Sequence, residues 1–146
     1  MARVYPSCTL QLTSYQTPED EMDDAIKQAL SRGHTIDITT RGRRTGQPRR
    51  IEIVFHNFGG RLYISGMPSR RKRAWLANLE ADPHFTFHLK DPAASADLPA
   101  TARVITDEAE RQPILAQVAR VWGRHDVDTM VAFSPLIEVT VPDRAA

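Results

Sequence analysis

A chain of 146 residues with 41% hydrophobic content is long enough for one domain with its own core and too apolar for a disordered polypeptide. Nineteen Lys+Arg against 18 Asp+Glu leave a net charge of +1, which argues against a polybasic nucleic-acid protein. No run approaches the roughly 18 apolar residues of a membrane span. No apolar stretch follows Met1, and Cys8 alone makes neither an internal disulfide nor a zinc site, so a cytoplasmic protein without metal is the expectation.

Residues 1–16 show no period and are expected to form a loosely structured arm, the whole chain 1–146 being one domain. Thr17-Pro18-Glu19-Asp20-Glu21 has the order of a helix start: a capping hydroxyl, proline at the first position, acids in the first turn. Met22, Ile26, Ala29 and Leu30 continue at helical spacing to Gly33. His34–Thr40 alternates and is β-branched, a strand. Residues 41–48 are a loop, and 49–58 a long strand with Ile51, Ile53 and Phe55 on one face. Gly59-Gly60 turns the chain into a return strand over 61–65. Ser69 is placed to cap a helix over 70–81, ended by Pro83. His84–Lys90 is a strand with Phe85, Phe87 and Leu89 on one face; 91–97 reads as a loop and 99–106 as the next strand. Asp107 caps a helix to about Trp122 in spite of Pro113, a short helix follows Asp126, and 136–141 is the last strand. Three consecutive strands joined by a tight hairpin predict an antiparallel sheet, and six short strands with few helices predict a small α+β barrel rather than a doubly wound fold. Neither a dinucleotide-binding glycine fingerprint nor a phosphate-binding P-loop is present.

The cations are uneven. Five of the ten residues 41–50 are arginine, and 70–73 read Arg-Arg-Lys-Arg, so nine of the 19 basic residues lie in two short segments. Gly42 and Gly46 would let backbone amides converge into an anion nest, with Arg43, Arg44 and Arg49 as bidentate forks and Thr45 as a hydroxyl donor. Two clusters flanking one hairpin could grip one phosphate- or carboxylate-bearing ligand. RNA would satisfy the same charges, but aromatic side chains for base stacking are missing from these segments apart from Trp75. His84 and His88 share a strand face roughly 13 Å apart, at about 3.3 Å per residue, too far for one metal ion. No serine lies in a Gly-x-Ser-x-Gly elbow, and no catalytic residue is identified.

Thr39-Thr40-Arg41-Gly42-Arg43-Arg44-Thr45-Gly46-Gln47-Pro48-Arg49 resembles the signature loop of the deazaflavin-dependent nitroreductase family. Trp75-Leu76-Ala77-Asn78-Leu79-Glu80-Ala81-Asp82-Pro83 resembles that family's later Trp-Tyr-x-Asn-Leu-x-Ala-Asn-Pro segment, in the right order. The resemblance implies a six-stranded antiparallel split barrel, of the flavin mononucleotide-binding type. It implies the 8-hydroxy-5-deazaflavin coenzyme F-420, and hydride transfer to an electron-poor acceptor such as a quinone, a nitro compound or an activated double bond. It further implies phosphate and tail contacts at Arg43, Arg44 and Arg49, a turn at Thr45 and Gly46, and a ring-side position at Ser65, followed by Gly66 and Met67. Ala74, Trp75 and Asn78 would line the cofactor. Gly66 stands where many members carry lysine, a charge that Arg70, Arg71, Lys72 and Arg73 could replace. Trp122, Met130 and Phe133 stand where some members place pocket tyrosines. Related barrels often form homodimers. A flavin mononucleotide enzyme of the same fold and a non-catalytic cofactor- or anion-binding module are the alternatives.

Overall fold

The computed structural model describes residues 24–92 and 94–142; the arm 1–16, Cys8, and the helix start at Thr17, Pro18 and Met22 lie outside them. Six strands form a closed antiparallel barrel: β1 (Thr35–Arg41), β2 (Pro48–Phe58), β3 (Arg61–Ser65), β4 (His84–Asp91), β5 (Ala94–Val104) and β6 (Leu136–Thr140). Around the barrel they run β1-β2-β3-β6-β5-β4, with β4 pairing back onto β1. Four helices accompany them: α1 (Asp24–Arg32), α2 (Ala74–Ala81), α3 (Glu108–Trp122) and α4 (Val127–Phe133). The expected α+β barrel is therefore present.

Strand alternation sends one face of each strand inward. Ile36 and Ile38 of β1, Phe55 of β2, Ile64 of β3, Phe87 of β4 and Ile137 of β6 are fully buried in one cluster. Ala29 and Leu30 of α1 and Trp75 and Leu79 of α2 join the same cluster. The Phe55 and Phe87 rings meet edge to face at 5.1 Å, the geometry aromatic quadrupoles favour. Gly59 and Gly60 both take positive φ, 64° and 90°, as a hairpin turn matching strand twist requires. A second core lies outside the barrel, where α3 and α4 cover Tyr63 with Leu115, Val118 and Met130.

Two expected boundaries move. Residues 94–97 are not loop, because β5 begins at Ala94 and its residues 94–101 pair with the whole of β4, Asp91 opposite Ala94 through His84 opposite Thr101. Its Ala, Ser, Asp and Pro residues give no strand signal alone; the partner strand imposes the conformation. Pairing with β6 covers only Thr101–Val104, so Pro99 occupies a stretch paired on one side, where a strand tolerates proline. The second correction concerns 70–73, which is not helical. Ser69 Oγ accepts the Arg71 N–H at 3.2 Å and donates to the Arg71 carbonyl at 3.0 Å, a local turn that competes with helix. The first α2 bond runs from the Ala77 N–H to the Arg73 carbonyl. By contrast Asp107 caps α3 as expected, accepting the Glu110 N–H at 3.0 Å.

On the barrel's outer face, Thr39 Oγ1 and Asp97 Oδ1 lie 2.6 and 2.8 Å from the two ring nitrogens of His88. This clasp ties β1, β4 and β5 together. Among the described residues no group of histidine, cysteine or carboxylate side chains could hold a metal, and no helix is long and apolar enough to cross a membrane.

His56 is buried against Phe58 and Trp122, at ring distances of 5.4 and 5.5 Å, and its Nε2 has no partner. Burial lowers its pKa below the ordinary 6.5, because desolvation disfavours the imidazolium. A lowered folded pKa gives stability that is complete above the unfolded value and is lost as pH falls through the folded one. Melting temperature should therefore fall as pH drops below about 6.5, before the carboxylates titrate. His56→Phe, which puts a non-titrating aromatic ring in its place, should flatten the pH 7 to 5 segment of the melting curve series; an unchanged slope would disprove the assignment.

Candidate functional site

The arginine loop 42–47 is closed by its own backbone. Gly42 N–H donates to the Gln47 carbonyl, and Gly46 N–H to the Gly42 carbonyl, each at 2.8 Å. Gly46 adopts φ 74°. Gly42 does not take positive φ, contrary to the nest expectation. It is needed instead for space: a Cβ there would sit 3.1 Å from Thr45 Oγ1 and 3.2 Å from the Gln47 carbonyl. Thr45 Oγ1 accepts the Gln47 N–H at 3.1 Å, leaving the hydroxyl hydrogen to donate.

Asn78 fixes this loop to the barrel. Its side chain is 3% exposed. Nδ2 donates to Thr40 Oγ1 at 3.1 Å, while Oδ1 accepts the Arg43 N–H at 3.1 Å and Arg43 Nη1 at 3.3 Å. One amide thus joins α2, the inner end of β1 and the loop. Between the loop and α2 lies a cavity of about 510 Å³. Arg43, Arg44, Thr45, Arg49, Ala74, Trp75 and Asn78, all anticipated from the sequence, line it, together with Arg50, which was not. No carboxylate contributes to this lining. Arg50 pairs with Asp37 at 2.8 Å, and Arg43 is held by a neutral amide. Arg44 and Arg49 have no carboxylate partner among the described residues. Elsewhere on the surface, Lys90, Arg103 and Arg124 each pair with an acid. Trp75 is 7% exposed, so it is at once core and cavity wall.

The second cationic cluster is elsewhere. Residues 75 and 78 lie on one side of α2 and residues 76 and 80 on the other, as a period of 3.6 dictates. Arg70, Arg71, Lys72 and Arg73 line a separate cavity of about 660 Å³ with Leu76, α3 and the end of α4. The expectation that both clusters grip one ligand is not met by either cavity.

The remaining anticipated residues are distributed as follows. Ser65 is 1% exposed and donates to the Pro135 carbonyl at 2.7 Å, so its hydroxyl is occupied. Gly66 leaves room for neighbours: a Cβ would lie 3.2 Å from Pro135 Cγ and 3.5 Å from Arg73 Nε. Met67 is half exposed, and its carbonyl accepts Arg73 Nη2 at 2.8 Å. Phe133 lines the larger cavity. Met130 is fully buried and Trp122 packs on the outer core; neither lines either of these cavities, because α4 turns the methionine onto α3.

Arg111 went unrecognised in the sequence. Its guanidinium donates to the carbonyls of Val131 and Ile105, both at 2.9 Å, and of Ser134 at 2.5 Å. Half burial lowers its pKa, again by desolvation. Its spacing to Ile114, Leu115 and Val118 on the buried face of α3 was the available signal.

A closed six-stranded barrel with a cationic, acid-free cavity beside one helix belongs to the class of flavin-type split barrels. A model of the F420H(2)-dependent quinone reductase family matches residues 15–142, and the chain belongs to that family. Solved structures share the fold at low identity. A conserved hypothetical protein from Mycobacterium tuberculosis aligns at 19% identity with TM-score 0.66, covering 86% of this chain and 84% of that one. A structure named F420 Reductase aligns at 16% with TM-score 0.59, covering 80% and 92%. A heme storage protein from Vibrio cholerae aligns at 15% with TM-score 0.59, covering 86% and 92%. Such different names on one barrel show that the fold alone fixes no activity.

Two substitutions separate packing from loop positioning. Trp75→Ala should cost about 3–5 kcal/mol of stability. Asn78→Ala leaves the buried Thr40 hydroxyl and the Arg43 amide without their partner and should cost about 1–3 kcal/mol. Urea midpoints measure both; an Asn78→Ala protein as stable as wild type would mean the amide bridge does not hold the loop.

Proposed function

We propose that the protein is a reductase that uses the deazaflavin coenzyme F-420, holding its phosphate and acidic tail in the cavity between loop 42–47 and α2. The observation that carries this reading is the acid-free lining, in which Arg44 and Arg49 lack carboxylate partners. Unpaired guanidiniums around a concave site favour an anion bound through charge-assisted, bidentate bonds. The residues present fit the group: cations for the tail, the Thr45 hydroxyl as a further donor, and the flat Trp75 wall beside Asn78.

The bound coenzyme supplies hydride chemistry. The chain supplies position. Arg49 stands at the start of β2, a rigid strand, and Asn78 holds Arg43 by backbone and side chain, so the cationic wall is organised before the ligand arrives. Trp75 is fixed by the barrel core behind it and excludes water from that side. A quinone is the acceptor that the family's name gives. Nitro compounds and activated double bonds are electron-poor in the same way and fall within the proposal.

Replacing Arg44 or Arg49 by alanine removes bonds worth roughly 1.5–3 kcal/mol each, so affinity for oxidised F-420 should fall about 10- to 100-fold. Melting temperature should not move, because both side chains are exposed and unpaired. Fluorescence titration with F-420 and with flavin mononucleotide checks this. The tail-bearing coenzyme should bind more tightly, by a margin that shrinks as salt rises. Arginine variants that bind F-420 like wild type would remove the cavity from the cofactor site.

A further inference from the structure

We infer that the larger cavity, on the other side of α2, binds a flat apolar molecule carrying a single anionic group, and that this is the chemical class of the electron acceptor. At about 660 Å³ the cavity is in the range of small-molecule sites. Its walls include the partly exposed Leu76, Val104 and Val131, an apolar surface suited to a ring system. Of its five cations, one is neutralised by an acid, and two more keep their charge while donating to backbone carbonyls, with Arg73 Nε buried and unpartnered. Lys72 pairs with Glu80 at 2.7 Å, Arg73 Nη2 donates to the Met67 carbonyl at 2.8 Å, and Arg111 is bound to backbone carbonyls. Arg70 and Arg71 are exposed and have no carboxylate partner among the described residues. The Arg70 guanidinium stands 5.0 Å from the centroid of the half-exposed Phe133 ring, which restrains a long side chain without neutralising it.

The two cavities differ in what they would select. The smaller has no acid in its lining and suits a polyanion. The larger also contains Glu108 and Asp128, which offset two of its remaining cations and favour a ligand of lower charge. One anionic group on an apolar body satisfies both the free arginines and these acids. Arg73, just before α2, lines one cavity and its neighbour Ala74, the first residue of α2, lines the other.

The acceptor role rests on the reductase reading; the binding does not. In that role a quinone gains a hydride and a proton to become a hydroquinone, and the reduced coenzyme loses both. Calorimetric titration of the coenzyme-free protein with anthraquinone sulfonate and with uncharged hydroxymethyl-anthraquinone tests the site. The sulfonate should bind about tenfold more tightly at low salt, with the gap closing as salt screens the arginines. Arg70→Gln and Arg71→Gln should each weaken the sulfonate several-fold and leave the uncharged quinone unchanged, at unaltered melting temperature. Equal affinities, or sulfonate binding that ignores Arg70 and Arg71 and is lost in Arg49→Ala, would overturn the proposal. Selective binding that follows Arg70 and Arg71 sustains the site even where F-420 fails to bind, an outcome that would count against the reductase reading alone.

Discussion

The candidate site depends on one buried amide. Asn78 reaches from α2 to Thr40 on β1 and to the backbone and guanidinium of Arg43. The pairing of Arg41 with Pro48 and the loop's own backbone bonds close it, and the amide adds the tie that turns Arg43 toward α2. Coulomb repulsion pushes the arginines apart, and water solvates each of them well. A fixed neutral acceptor resolves this conflict because it positions Arg43 without cancelling its charge. A carboxylate at position 78 would hold the loop as well and remove the field an anion needs.

The helix that carries Asn78 also divides the surface. Trp75 and Leu79 anchor α2 in the barrel core, and its flanks then face two cavities of different chemistry. One is lined by arginines and no acids; the other mixes free arginines, acids and an apolar wall. Helical period converts a single short segment into the wall of both. That is why two cationic stretches only about twenty residues apart along the chain end in separate cavities.

The outer helices are held by a different device. Arg111 places a cation at the carbonyl-rich end of α4 and the end of β5, where backbone oxygens lack partners of their own. The same residue lines the larger cavity. A half-buried arginine without a carboxylate is tolerated because carbonyls accept from most of its donors.

Periodicity by itself determined the barrel: inward-facing Ile36, Ile38, Phe55 and Phe87, the hairpin at Gly59-Gly60, and the Asp107 cap are local patterns whose physics is complete within a few residues. The two motifs, with Arg43, Arg44, Arg49, Trp75 and Asn78, marked the smaller cavity before any coordinate. What required the tertiary structure was set by partners far along the chain. β4 made a strand of 94–98, a stretch with no strand signal of its own. The Ser69 turn held 70–73 out of the helix that its charges and cap had suggested. The packing of α4 on α3 buried Met130 and left Phe133 at the cavity. Which cations remain unpaired, and therefore available to a ligand, is a property of where the acids fold, and no local pattern in the chain contains that information.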